Sequence, residues 1–210
     1  MRPPHEFAVS RSETLHVGRV VALRLDEVVM PGGRVARREI VEHSGAVAIL
    51  PLHDDASVVM IDQYRHAVGR RLRELPAGLL DAAGEDPVTT ARRELLEEVG
   101  HTAQDWSVLV DVVASPGFSD EAVRVFLARR LVDVGRPTGG DDEEADLSVV
   151  RVPLADAVRQ ALAGEIVNAS TVAGLLAAQA VLAGTAQPRP VDASWPDRPT
   201  RFAQRGGGPK

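Results

Sequence analysis

Residues 86 to 100, Asp-Pro-Val-Thr-Thr-Ala-Arg-Arg-Glu-Leu-Leu-Glu-Glu-Val-Gly, leave the backbone little choice. Asp86 suits the N-cap, Pro87 the first helical position and Gly100 the residue just past the end, so the sequence predicts a helix over 87–99. On a 3.6-residue period Val88, Ala91, Leu95 and Val99 form an apolar stripe, whereas Glu94, Glu97 and Glu98 share a different face. Like charges at that spacing cost a helix roughly 0.2–0.5 kcal/mol per pair unless something neutralises them. Arg93, four residues before Glu97, can orient one carboxylate, which leaves two. A hard divalent cation such as Mg²⁺ accepts all of these oxygens, and a glycine-containing loop over 77–84 lets backbone carbonyls turn inward as further ligands. Taken alone, the three acids also fit an ordinary solvated helix face.

Gly78, Glu85 and the run Arg93-Glu94-Leu95-x-Glu97-Glu98-x-Gly100 resemble the signature box of the Nudix hydrolases. One spacing departs from the family pattern: six residues, not five, separate Gly78 from Glu85. The insertion lengthens the loop and leaves the helix register intact. The resemblance implies an α/β/α sandwich with a mixed sheet. It also implies metal-dependent hydrolysis of a nucleotide pyrophosphate, with the Ala77 carbonyl, Glu94, Glu97 and Glu98 as metal ligands and Glu98 essential to catalysis.

The whole chain bounds the rest. Its 210 residues suffice for one catalytic domain of about 150 residues plus an extra element. A net charge of −6 argues against a general nucleic-acid surface, although a local arginine cluster with bound metal can still take an anionic nucleotide. The absence of cysteine excludes disulfides, thiolate metal sites and thiol nucleophiles, and fits a reducing cytoplasm. Neither a signal-peptide pattern nor a membrane-spanning apolar run is present, so a cytoplasmic protein with no membrane partner is expected.

Taken in order, residues 14–30 read as one or two strands and Pro31-Gly32-Gly33 as a turn. A strand over 34–42 is expected to pair back as an antiparallel hairpin, too small to be stable alone. It needs the core or a second copy of the chain to pack on. Residues 1–44 therefore form an N-terminal β element, 45–186 the catalytic domain and 187–210 a C-terminal tail. Strands over 46–52 and 57–64 flank a polar turn. Arg65 follows as the best candidate for a phosphate contact, because its planar fork binds phosphate oxygens bidentately. Glu74 is grouped with it on the substrate side, whereas Arg70, Arg71 and Arg73 read as a solvated basic turn.

Beyond the helix, a strand over 106–113 is interrupted at 114–121 and resumes over 124–131. In the interruption Phe118 offers an aromatic face to a base, and Asp120 and Glu121 offer acceptors to sugar hydroxyls. An acidic loop over 133–146, a last strand over 147–152, a helix over 153–163 and a helix to Leu182, capped by Asn168 or Ser170, complete the domain. In the tail, Trp195 and Phe202 are possible anchors, and Gly206 to Gly208 are expected to be disordered.

Pro116-Gly117-Phe118, beginning 16 residues past Gly100, resembles the element that marks ADP-ribose pyrophosphatases within the Nudix group, and the order of elements resembles the actinobacterial ones. That resemblance implies hydrolysis of ADP-ribose to AMP and ribose 5-phosphate, with Mg²⁺ (Mn²⁺ possible) as cofactor. It places the general base in the acidic loop, at Glu144 or its neighbour Glu143, and implies a homodimer that exchanges its N-terminal element. Nucleotide sugars and dinucleotide polyphosphates are the alternative substrates. A non-catalytic ADP-ribose sensor is the alternative class, but such a sensor calls for an effector or DNA-binding element that this sequence does not display.

Overall fold

The computed structural model describes residues 7–81, 84–137 and 146–205. Its organising strand is β4 (Ala46–Pro51), buried along its whole length. A continuous apolar run such as this suits a strand covered on both faces. β4 pairs in parallel with β9 (Ala122–Asp133) and antiparallel with β7 (Ala77–Leu79), and β8 (His101–Val113) flanks β9, giving a mixed sheet in the order β7-β4-β9-β8. A second sheet runs β10-β5-β6, from Ser148–Pro153, Ser57–Arg65 and Arg70–Glu74. The N-terminal sheet runs β1-β2-β3, from Val9–Val17, Val21–Val29 and Val35–His43.

Alternation along β4 divides the core. Val47 and Ile49 pack with Val59, Ile61 and Phe126 under helix α1 (Pro87–Val99), through its Ala91, Leu95 and Val99. Ala48 and Leu50 pack on the other side with Met60 and Val125, beneath helices α2 (Leu154–Leu162) and α3 (Ala169–Leu182), through Leu154, Ala157, Leu175 and Ala178. Helices on both faces of a mixed sheet make the expected sandwich. Among the described residues no helix is long and apolar enough to cross a membrane.

The structure differs from expectation in four places. The N-terminal element has three antiparallel strands, and the first begins at Val9, ahead of the expected start at residue 14; β1 is exposed at every residue, so burial does not mark its beginning. Arg70–Glu74 is a strand, not a basic turn, and ion pairs hold it: Arg73 to Asp62 at 2.9 Å and Arg71 to Asp146. The start of the predicted loop, Ala77–Leu79, is also a strand. Pro153 occupies the N-cap of α2 and not its first helical turn.

The tail is part of the body. Arg189 and Val108 exchange backbone hydrogen bonds of 2.9 Å, extending the edge at β8. The guanidinium of Arg124 lies 4.8 Å over the Trp195 ring and donates to the carbonyls of Ala193 and Ser194. Phe202, in the short helix α4 (Arg201–Gln204), is buried. Gly206 to Gly208 lie outside the described residues.

Candidate active site

Helix α1 begins and ends as its sequence dictates. Asp86 accepts from the Val88 amide, Pro87 opens the helix and Gly100 closes it at φ +69°, with its N–H bonded to the Leu96 carbonyl at 2.9 Å. With the apolar stripe turned to the sheet, the acids fall along the edge facing β7.

Arg93 is their internal counterion. Its Nη1 lies 2.8 Å from Glu94 Oε1 and 2.9 Å from Glu97 Oε2, and its Nη2 lies 3.7 Å from Glu85 Oε2. Burial opposes the arginine's charge, but Glu94, Glu97 and Glu85 hold its pKa above the usual guanidinium value. Glu85 also accepts from the Thr90 hydroxyl at 2.7 Å, so it reaches the helix despite the longer loop before it. Ala82 and Ala83 of that loop lie outside the described residues.

Glu98 is buried, and its Oε2 accepts the Ala77 amide at 2.9 Å. The register explains why that amide is available. Ile49 N–H donates to Pro76 O and Leu80 N–H to Gly45 O, so alternate residues of β7 bond to β4 and Ala77 is one that does not. Both its N–H and its C=O therefore face outward, toward α1. Gly78 completes the junction, since a β-carbon there would meet the Glu94 side chain.

These features fit a hard cation. The donors are carboxylate and carbonyl oxygens, and a glycine makes room for one of them. Among the described residues no three His, Asp or Glu side chains are gathered as a ready-made metal cluster, because Arg93 draws Glu94 and Glu97 while the Ala77 amide holds Glu98. A cation would compete with Arg93 for the same oxygens.

Arg65 and Glu74 meet on one face of the second sheet. Arg65 stands opposite Arg70 and Glu74 opposite Ile61, an even register offset that puts both side chains on the same side. Arg65 donates through Nε at 3.0 Å and Nη2 at 2.6 Å to Glu74 Oε2. Glu74, expected on the substrate side, is only 2% exposed, with Oε1 accepting from Asn168 and Oε2 from Arg65. Arg65 itself stays 40% exposed at the side chain.

The 114–121 interruption is pinned to the N-terminal sheet. Val41 donates to Phe118 O at 2.7 Å and accepts from Asp120 N, while Asp120 Oδ1 accepts from His43 N at 2.9 Å. Asp120, expected to meet a sugar hydroxyl, thus spends one oxygen on holding the loop. Phe118 remains exposed and borders a cavity of about 360 Å³ lined also by Leu25, Arg37, Arg38, Glu39 and Gly117. Arg37 and Arg38 were not singled out from sequence; their local signal is a run of three charges, Arg37-Arg38-Glu39, that breaks strand alternation. Glu121 is half-buried beside the loop. Glu143 and Glu144 lie outside the described residues. At the end of the acidic segment, Asp146 is held by Arg71 of β6 at 2.6 Å.

Comparison with known proteins bears directly on this geometry. A NUDIX domain model matches residues 42–173. The ADP-ribose pyrophosphatase of Mycobacterium tuberculosis is 57% identical over 201 residues, covering 96% of this chain and 97% of that protein. The ADP-ribose pyrophosphatase of Bacillus subtilis is 39% identical over 159 residues, covering 76% and 85%. A GDP-mannose pyrophosphatase of Citrobacter koseri is 31% identical over 143 residues, covering 65% and 74%. Among solved structures, one described as the crystal structure of an ADP compounds hydrolase superposes with a TM-score of 0.74 at 25% identity, covering 88% of this chain and 98% of its own.

Proposed function

The chain belongs to the NUDIX family, and we propose that it is a hydrolase that splits the pyrophosphate bond of ADP-ribose to give AMP and ribose 5-phosphate. Near-full-length identity to an ADP-ribose pyrophosphatase supports the substrate. The observation that carries the chemistry is that one helix holds Glu98 on the Ala77 amide and Glu94 and Glu97 together on Arg93.

The cofactor in this reading is Mg²⁺, with Mn²⁺ as a substitute, and Glu94, Glu97, Glu98 and the Ala77 carbonyl would hold it. When bound, such a cation screens the pyrophosphate charge and lowers the pKa of water. Arg65 offers its remaining N–H donors to a phosphate oxygen, its direction set by Glu74. Glu144, or Glu143 beside it, takes the proton from the attacking water as the new P–O bond forms. The bridging P–O bond breaks, and its oxygen leaves with the other product. Phe118 stacks the base beside Arg37 and Arg38, and Asp120 and Glu121 meet sugar hydroxyls.

The same reading makes the protein a cytoplasmic homodimer with no nucleic-acid or membrane partner. Exposed Val9, Leu15 and Val17 along β1, with Phe7 just before it, support a second copy as the element's partner. Light scattering should return twice the chain mass.

Incubation with ADP-ribose and Mg²⁺, followed by chromatographic separation, should yield AMP and ribose 5-phosphate in equal amounts, and a chelator should abolish both. Binding without turnover would make the protein a sensor. The 31% identity to a GDP-mannose pyrophosphatase favours nucleotide sugars as the second reading, and a substrate panel run beside ADP-ribose separates the two.

A further inference from the structure

Asn168 lies 94 residues beyond Glu74 in sequence, yet its Nδ2 donates to Glu74 Oε1 at 3.2 Å. We propose that Asn168 is a positioning residue for substrate binding, holding buried Glu74 so that Glu74 aims Arg65 at the pyrophosphate. The proposal rests on the assignment of Arg65 as a pyrophosphate contact.

A buried carboxylate needs a partner on each oxygen, since burial removes the water that would otherwise solvate it. Glu74 Oε2 is taken by Arg65 through Nε and Nη2, and Oε1 accepts from Asn168. Two donors on a single oxygen fix the plane of the guanidinium and leave its Nη1 for a ligand. The direction of Arg65 therefore depends on the Glu74 carboxylate staying in one orientation.

The other end of the Asn168 amide explains why the residue is asparagine. Its Oδ1 accepts from the Thr171 amide at 2.9 Å and the Ser170 hydroxyl at 2.8 Å, capping α3. With the oxygen committed to the cap, the Nδ2 donor is turned to Glu74. Aspartate or serine can cap a helix equally well. Neither supplies that donor: aspartate would set a second carboxylate against Glu74, and serine is too short to reach. Three residues on, Thr171 Oγ1 accepts from the Leu75 amide at 3.0 Å. The first turn of α3 thus grips both Glu74 and Leu75, just ahead of Pro76 and the Ala77 backbone.

The test is steady-state hydrolysis of ADP-ribose by the full chain carrying Asn168→Ser, Arg65→Ala or both. Asn168→Asp serves as a second variant that keeps size and cap, and thermal melting is recorded for each. Asn168→Ser should raise KM about fivefold to tenfold, the range of one ordinary hydrogen bond, with kcat within about twofold, and should lower the melting temperature, because buried Glu74 Oε1 loses its donor. Asn168→Asp should raise KM at least as much. In the Arg65→Ala background, Asn168→Ser should add nothing, because the group it positions is gone. An unchanged KM in Asn168→Ser and Asn168→Asp, or an undiminished effect in the double variant, overturns the role of Asn168. If Arg65→Ala leaves KM unchanged, the Arg65 assignment itself fails.

Discussion

Gly78 lies directly against the carboxylate of Glu94: a β-carbon at position 78 would stand 2.1 Å from its Oε1. The clash would involve a side chain alone, so the fold can survive it by swinging Glu94 aside. Gly78→Ala should therefore melt within about 1 kcal/mol of the wild type while needing several-fold more Mg²⁺ for half-maximal turnover. A Mg²⁺ titration of the rate makes the comparison; an unaltered half-saturation point would remove Glu94 from the metal ligands.

Glu98 combines two duties, a structural bond to the Ala77 amide and a proposed metal bond. Glu98→Gln separates them. The amide oxygen can still accept from Ala77, but the charge is lost. Turnover should fall by about 100-fold or more, corresponding to roughly 3 kcal/mol of transition-state stabilisation, with the melting temperature preserved. Active Glu98→Gln protein would sink the assignment.

Gly100 answers to both conformation and space. It sits at φ +69°, and an added β-carbon would meet the backbone of Gly135 and Arg136 at 2.6 Å. Unlike the neighbour of Gly78, this one is main chain and cannot turn away. Gly100→Ala should cost about 2–4 kcal/mol, summing left-handed backbone strain and overpacking. Denaturant unfolding would register the loss, and a cost under about 1 kcal/mol would contradict the contact geometry.

What was legible in the sequence was local. The helix over 87–99, its caps, its apolar stripe and its acidic face follow from spacing alone, and the structure reproduces those limits. The strands β4 and β5 announced themselves by apolar content. β1 did not, because a strand exposed at every position carries no burial pattern. Nor did β6, whose single buried apolar residue, Leu72, lies among charges that find Asp62 and Asp146 only in the folded chain. In the candidate site Arg65 was picked out for its chemistry. The bond from Asn168 to buried Glu74 depends on the N-terminus of α3 reaching the end of β6 and leaves no mark in either segment. Asp120 carries a second duty that the sequence does not show: one of its oxygens accepts the His43 amide and so ties the 114–121 loop to β3.

Glu42, at the end of β3, is fully buried and takes a bidentate bond from Arg205, the last described residue of the tail. Arg205 also donates to the Thr14 hydroxyl of β1 at 2.6 Å, so one guanidinium joins the C-terminal segment to the N-terminal sheet. The hydrogen bond from Arg205 holds the Glu42 carboxyl below its ordinary range, against the opposing effect of burial and with help from the charges of Arg205, Arg24 and Arg201. In the unfolded chain the same carboxyl takes up its proton near pH 4.3. Between that value and the lower folded one the unfolded chain binds more protons, so stability rises with pH in this window. The contribution is fully present above the unfolded pKa and is lost as pH falls through the folded one. Glu42→Gln should be less stable than the wild type at pH 7, and its melting temperature should fall less steeply from pH 5 to pH 3. Ending the chain after Thr200 should partly flatten the same acid limb, because it removes Arg205 and Arg201 and leaves only Arg24 to depress the carboxyl. Parallel acid limbs in all three proteins would mean that Glu42 titrates alike in the folded and unfolded chain, and that the bond from Arg205 contributes nothing to the docking of the tail.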